Sequence, residues 1–243
     1  MESLTSGIQY RHWPVADAKA CVLLVHGLAE HTGRYHRLAT RFNSAGIAVV
    51  GPDHIGHGAS PGVRAHVRRF SDYLEPLTAL RERIKEWYPD KPVFLLGHSM
   101  GGLISAHALL VSQKSYHGAM FSGPAFTAVD PVSVPVMWIG RLLRYVFPKM
   151  GMLALNATEV SRDPAVVADY IADPLVYNGK ITTSLGLEIL DAMEVAISRA
   201  GEITLPVYIA HGEADVMAGP EGSTAFFESL ASADKSLDFW PGL

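Results

Sequence analysis

The sequence predicts an α/β fold with a mostly parallel central sheet. Four short apolar runs, at residues 21–25, 47–50, 93–96 and 207–210, are typical of strands that are buried on both faces of such a sheet. Segments with apolar residues at helical spacing lie between them. Of the 243 residues, 49% are hydrophobic and 18% are charged, which excludes a disordered chain.

Charge and cysteine content exclude further classes of protein. The formal net charge of −4 lacks the basic field that a general nucleic-acid binder needs. Cys21 is the only cysteine, so the sequence has neither a disulfide framework nor a thiolate metal site. No secretory signal pattern and no membrane-length apolar run is present. We therefore expect a cytoplasmic protein.

The helices and the last strand follow in order along the chain. Apolar residues from Phe70 to Trp87 repeat at helical spacing, and residues 101–111 and 220–230 are predicted as further helices. Residues 236–240 are predicted as a late core strand. The strand pattern breaks between about 123 and 185, which predicts a helical cap at 124–185 inserted between core segments 1–123 and 186–243.

A serine follows the strand at 93–96 in a glycine-rich turn. The motif Gly-x-Ser-x-Gly spans Gly97 to Gly101 and leads directly into a predicted helix. This strand–turn–helix context exposes a nucleophilic hydroxyl at the edge of the sheet. We therefore predict Ser99 as the nucleophile, with a Gly-rich turn carrying an incidental serine as the alternative.

The loop after the first buried strand is the expected source of an oxyanion hole. Gly27 lets the backbone approach a substrate, so that the N–H of Leu28 and the N–H of Met100 are the predicted donors. Both roles belong to the backbone. The alternative is an ordinary loop.

An acid is expected after a late strand. Asp215 follows the run at 207–210 and fits this position, with Glu213 as the lower-ranked rival. A triad in this order then needs a histidine after Asp215. His211 is the last of the eleven histidines, so the sequence lacks one there.

Together, six motifs resemble the monoacylglycerol lipase branch of the α/β-hydrolases, including its bacterial members. They are spread over nearly the whole chain: His26-Gly-x-x-Glu30-His31-x-Gly33-Arg34-Tyr35, Asp53-His54-x-Gly56-His57-Gly58-x-Ser60, Gly97-His-Ser-Met-Gly-Gly102, Ser161-Arg-Asp-Pro164, Asp173-Pro-Leu175 and His211-Gly-x-x-Asp215. The resemblance implies an α/β-hydrolase fold and the hydrolysis of monoacylglycerol to glycerol and fatty acid, without a cofactor.

The resemblance also implies a binding end for the glycerol head. Glu30, Arg34 and Tyr170 match family positions there, and His98 lies beside the nucleophile. Glu30 and Arg34, four residues apart, are alternatively a simple ion pair, and Tyr170 is alternatively a packing residue of the cap.

The resemblance further implies that the catalytic histidine and a final helix follow the last strand. We therefore expect the sequence to be a C-terminally truncated form of an active hydrolase that is nearly inactive by itself. The competing interpretation is a natural pseudoenzyme that binds a lipid or a partner.

The cap accounts for the mildly apolar composition, with a mean hydropathy of +0.17. We expect Trp138 and Phe147 to line or flank the entrance for the acyl chain, and the cap to touch a membrane or micelle. The alternative is that the apolar residues of the cap pack on the core. No metal is expected; the alternative is that His26, His31, His54 and His57 converge as ligands. Lysophospholipase and general carboxylesterase activities stay open.

Overall fold

A computed structural model gives the structure of residues 1–128 and 134–243. Its strands and helices alternate as the sequence predicts. The strands are β1 Glu2–Ser3, β2 Gln9–Trp13, β3 Ala20–Val25, β4 Ile47–Pro52, β5 Val93–His98, β6 Gly118–Ser122, β7 Gly151–Ala154, β8 Lys180–Thr182, β9 Val207–Gly212 and β10 Lys235–Trp240. The α-helices are α1 His36–Ser44, α2 Leu74–Trp87, α3 Met100–Ser112, α4 Val134–Val146, α5 Pro164–Ala172, α6 Thr183–Arg199 and α7 Pro220–Ser229.

One sheet organises the core. Among the described residues its strand order is β1-β2-β4-β3-β5-β6-β9-β10. In this sheet the strand pairs β1–β2 and β2–β4 are antiparallel. The remaining pairs, from β4 to β10 in the strand order, are parallel. The predicted mostly parallel sheet is therefore confirmed, and the carboxyl ends of β3, β5, β6 and β9 meet at one edge, where ligands bind in open α/β sheets.

Alternation along the strands fills both faces of this sheet. In β3, Val22 and Leu24 pack into a small cluster with Val49 and Leu96, whereas Leu23 belongs to the large cluster on the opposite face. All of β3 is buried. This explains why its sequence is a continuous apolar run rather than an alternating one.

The predicted cap region contains more than helices. Besides α4 and α5, β7 and β8 form an antiparallel ribbon. Helix α4 rests on α6, where Gly140 approaches Leu187 and Arg144 pairs with Glu188. Residues 129–133 of the predicted cap lie outside the described residues, and the predicted boundary at 185 falls in the first turn of α6. Within the described parts of the chain, no helix is long and apolar enough to cross a membrane.

Three buried histidines join the loops that follow β3 and β4. His26 Nε2 accepts a hydrogen bond from the backbone N–H of His54 (2.9 Å), and His54 Nε2 donates to the backbone O of His26 (3.0 Å). Burial lowers the pKa of His54 to about 3 and that of His57 to about 4, and it holds the pKa of His26 well below its ordinary value. In the described residues, no group of three or more side chains is arranged to hold a metal. These imidazoles are neutral structural elements.

Acidification should destabilise the fold through these histidines. Below about pH 6.5 the unfolded chain takes up protons that the buried, pKa-lowered imidazoles do not, so the free energy of unfolding should fall by about 1.4 kcal/mol per pH unit for each of them. The free energy of unfolding is therefore undiminished by these histidines above pH 6.5, and it decreases as the pH falls towards 4. Urea unfolding at pH 7.5 and pH 5 measures this.

His57→Gln removes one group that binds a proton on unfolding, so the free energy of unfolding should fall less steeply as the pH is lowered. The slope should decrease by the amount that corresponds to about one proton. The matched control is His36→Gln, because His36 is exposed on α1, and it should leave the slope unchanged. Equal stability of the unsubstituted chain at pH 7.5 and pH 5 would contradict the assignment.

Candidate active site

Ser99 lies at the turn between β5 and α3, with φ 53° and ψ −122°. Few L residues adopt this conformation, and those that do cluster at functional sites. The flanking glycines make room for it. A Cβ at Gly97 would lie 2.4 Å from the backbone O of Gly101, and a Cβ at Gly101 would lie 2.0 Å from the backbone O of Val25. The Gly-x-Ser-x-Gly spacing is therefore a steric requirement of the turn.

Backbone hydrogen bonds hold the Ser99 turn in place. The N–H of Ser99 donates to Ser122 O at the end of β6 (3.1 Å). Its carbonyl accepts from Gly102 N–H (2.9 Å) and from Ala125 N–H (3.1 Å). The side chain stays partly exposed, so a ligand can reach the hydroxyl.

The loop at residues 27–35, named here the oxyanion loop, packs against Ser99. A Cβ at Gly27 would lie 3.4 Å from Ser99 Cβ, which places Leu28 next to the nucleophile. Met100 is the first residue of α3, so its N–H has no acceptor within the helix. The two predicted donors thus come from elements on either side of Ser99, and their role stays a prediction.

Glu30 belongs to this loop, and its side chain is buried. Its Oε1 accepts hydrogen bonds from Gly27 N–H (2.6 Å) and from the Tyr35 hydroxyl (2.6 Å), while Oε2 lies 3.3 Å from Arg34 Nε. Burial and the charge of Glu30 raise the pKa of Tyr35 well above its usual range, so the phenol stays a donor. Glu30 therefore holds the backbone of the oxyanion loop, in addition to forming the ion pair with Arg34.

The other predicted head-group residues lie close by. The Arg34 guanidinium stacks on the ring of Tyr170, 4.6 Å from its centroid. Burial and the neighbouring Glu30 charge raise the pKa of Tyr170 to about 12. His98 donates from Nδ1 to Ser122 O (2.8 Å), and its Cδ2 lies 3.5 Å from the Cβ position of Gly27. The structure thus brings Glu30, Arg34 and Tyr170 together and places His98 beside the nucleophile.

Asp215 follows β9 and points towards the Ser99 turn. Its Oδ1 accepts from the N–H groups of Met217 (2.8 Å) and Ala218 (3.0 Å). A Cβ at Gly123, the residue after β6, would lie 3.3 Å from Asp215 Oδ2. Burial opposes ionisation, but the hydrogen bonds from His211 and the two backbone N–H groups hold the pKa of Asp215 below its usual value. Glu213, the rival acid, is exposed.

His211 does not occupy the position of a base. Its Nδ1 is hydrogen bonded to Ser223 Oγ (2.7 Å) and its Nε2 donates to Ala218 O (3.0 Å), with Asp215 Oδ2 at 3.4 Å. The ring is buried. Among the described residues, no histidine is hydrogen bonded to both Ser99 and Asp215.

Trp138 and Phe147 lie on the outside of the cap. Their exposed fractions are 67% and 57%, so they do not contribute to a closed core. Whether they flank an acyl entrance stays a prediction.

Sequence reasoning missed two residues that hold the oxyanion loop, buried Asp53 and partly buried Tyr35. Asp53 accepts from Thr32 N–H (3.0 Å) and from the Thr32 hydroxyl (2.6 Å), and Tyr35 binds Glu30 as described above. Asp53 directly follows β4, and a polar residue at the carboxyl end of a strand is a signal that the sequence offers. Tyr35 has no such signal.

Comparisons with known proteins agree with this geometry. The chain matches the Hydrolase_4 family model, described as serine aminopeptidase, S33, over residues 16–243. It is 37% identical over 238 residues to a monoacylglycerol lipase of Mycolicibacterium smegmatis, covering 97% of this chain and 85% of the relative. It is 32% identical over 235 residues to a monoglyceride lipase of Rattus norvegicus, covering 96% and 77%.

A solved structure is also similar. The monoacylglycerol lipase of Paleococcus ferrophilus superposes with a TM-score of 0.87 at 32% identity, covering 97% of this chain and 89% of that one. The matched family model spans the Ser99 turn, the oxyanion loop and Asp215 alike. The chain therefore belongs to the Hydrolase_4 family and is a serine ester hydrolase with the α/β-hydrolase fold.

Proposed function

We propose that the protein is a monoacylglycerol lipase, which releases glycerol and a fatty acid through an acyl-enzyme. The observation that carries the proposal is the strained Ser99 turn facing both the oxyanion loop and Asp215. The names of the similar proteins, several of which are monoacylglycerol or monoglyceride lipases, support this choice of substrate.

The proposed reaction proceeds in two displacements. Ser99 Oγ attacks the ester carbonyl and loses its proton to a histidine that Asp215 orients, while the N–H groups of Leu28 and Met100 stabilise the oxyanion. The histidine then gives that proton to the departing glycerol oxygen, which leaves an acyl-Ser99. Water attacks the acyl group in the same way and releases the fatty acid together with free Ser99.

The glycerol head is assigned to the end of the site that contains Arg34. Both Oε1 contacts of Glu30 belong to the oxyanion loop. The donors that remain for glycerol hydroxyls are therefore the other N–H groups of the Arg34 guanidinium, which Tyr170 holds by stacking. Nε2 of His98 is an acceptor for a hydroxyl, because Nδ1 carries the proton in its bond to Ser122 O.

The histidine base is the part of this reaction that the 243 residues do not supply. His211 is committed to Ser223 and Ala218, and no histidine follows Asp215 in the sequence. We therefore propose that this chain alone hydrolyses esters slowly, while the nucleophile, the oxyanion donors and the acid are in place.

Turnover of a p-nitrophenyl ester tests this proposal. Loss of a triad member costs on the order of a million-fold in turnover, so the purified 243-residue chain should run close to the Ser99→Ala background. Turnover at ordinary lipase rates that Ser99→Ala abolishes would show that another residue acts as the base. Failure of a fluorophosphonate probe to label Ser99 after prolonged incubation would favour the non-catalytic alternative.

Equilibrium binding separates the head groups, because a slow chain leaves them intact. An alkyl ether of glycerol should bind more tightly than the alcohol of the same chain length or the lysophosphatidylcholine ether. Equal binding of all three would favour a general carboxylesterase, and the tightest binding by the phosphocholine head would favour a lysophospholipase.

The outer face of the cap is proposed as a membrane contact. From helix α4 through strand β7, large apolar side chains have exposed fractions of 40 to 89%: Trp138, Ile139, Leu142, Tyr145, Val146, Phe147, Met150, Met152 and Leu153. Exposed apolar areas of this extent mark interaction sites. A lipid surface is the proposed partner, because the substrate class resides there.

Replacement of two of these residues should weaken attachment to lipid. Trp138→Ala with Phe147→Ala should lower binding to phosphatidylcholine vesicles in a sedimentation assay, because it removes two of the largest exposed rings. Val111→Ala is the matched control, since Val111 is 75% exposed but lies on α3. Unchanged vesicle binding in the double variant would contradict the proposal.

A further inference from the structure

The oxyanion loop contains a strained residue next to its proposed donor. Ala29, which follows Leu28, has φ 66°. This left-handed conformation is unfavourable for residues other than glycine and persists only where neighbouring contacts impose it. The direction of the Leu28 N–H therefore depends on whatever holds Ala29 in place.

Two hydrogen bonds from the cap hold this part of the loop. Tyr177 N–H donates to the carbonyl of Ala29 (2.8 Å). Asp173 Oδ2 accepts from His31 Nε2 (2.8 Å), two residues further along the loop. We name this pair of contacts the cap brace. The Asp173–His31 bond joins residues 142 positions apart in the chain, so it ties the cap to the core.

The chemistry of the Asp173–His31 bond is well defined. His31 Nδ1 accepts from Gly33 N–H (3.1 Å), which places the proton on Nε2 and aims it at Asp173. Asp173 Oδ1 accepts from Leu175 N–H (2.9 Å), so both carboxylate oxygens are used. Burial opposes ionisation, yet these hydrogen bonds and the Arg34 charge hold the pKa of Asp173 below its usual value. The bond is therefore charge-assisted, which makes it stronger than a neutral one.

We propose that Asp173 is a positioning residue for the oxyanion hole: through His31 and the cap brace, it holds the strained Ala29 and so directs the Leu28 N–H at the reacting carbonyl. The inference rests on the proposed role of Leu28. The cap then contributes to the oxyanion hole together with the core. The Leu28 N–H points at the reacting carbonyl only while the cap keeps its contacts with the oxyanion loop.

Hydrogen exchange tests the brace without any need for turnover. Gly27, Thr32 and Tyr177 have hydrogen-bonded N–H groups in or against the loop. In Asp173→Ala their exchange should become about tenfold faster, because a hydrogen bond to a charged group contributes a factor of this order. Exchange in β3 and β5 should stay as in the unsubstituted chain.

Two variants separate positioning from general packing. Asp173→Asn keeps an oxygen acceptor for His31 and should restore most of the protection. Asp169→Ala, which removes an exposed acid four residues earlier on α5, should leave exchange unchanged. Unchanged loop exchange in Asp173→Ala, or a rise spread evenly over the sheet, would overturn the proposal.

Residual ester hydrolysis gives the functional readout. Enzymes that lack a triad member keep catalysis from their oxyanion hole, so Asp173→Ala should lower the residual kcat about tenfold or more while KM stays constant. A change in KM alone would overturn the positioning role. If a fluorophosphonate probe fails to label Ser99, the proposed function fails, whereas the exchange experiment still decides the brace.

Discussion

The backbone of Ser99, at φ 53° and ψ −122°, constrains everything around the site. Holding a residue there costs on the order of 1–3 kcal/mol, and β5, β6 and α3 together impose it through the hydrogen bonds to Ser122, Gly102 and Ala125. A Cβ at Gly97 would collide with α3, and a Cβ at Gly101 would collide with the end of β3. The same turn places the first N–H of α3 beside the hydroxyl, so strain, glycine spacing and the proposed oxyanion stabilisation have one origin.

The second proposed oxyanion donor, Leu28 N–H, needs more support than the first, because it belongs to a loop and not to a helix. Three carboxylates supply that support: buried Asp53 holds Thr32, buried Glu30 holds the N–H of Gly27, and half-buried Asp173 reaches His31 from the cap. Each accepts hydrogen bonds on its carboxyl oxygens, and such bonds are costly to lose once they are withdrawn from water. The polar residues around Ser99 thus serve the geometry of the loop at least as much as they serve a ligand.

The parts of the fold that were predictable are those with a local signal. The runs in β3, β5 and β9 are apolar and are followed by glycine. The Ser99 motif is recognisable because its turn requires glycine at positions 97 and 101. Strand β6, at Gly118–Ser122, was missed because its small residues and lack of β-branched side chains resemble a loop. The ribbon of β7 and β8 was missed because its pairing joins distant segments. The role of Glu30 in holding Gly27 N–H emerges only from the folded loop, whereas the resemblance implied a place at the glycerol head, with an ion pair to Arg34 as the alternative.

We propose that the N–H groups of Leu28 and Met100 form one oxyanion hole around Ser99. A crystal structure of the chain with an alkyl phosphonate bound covalently to Ser99 tests it most directly. A phosphonyl oxygen should lie about 2.7–3.1 Å from both backbone nitrogens, with the Ala29 carbonyl still bound to Tyr177. A phosphonyl oxygen that points to solvent, or that contacts Met100 alone while the oxyanion loop lies elsewhere, would contradict the account.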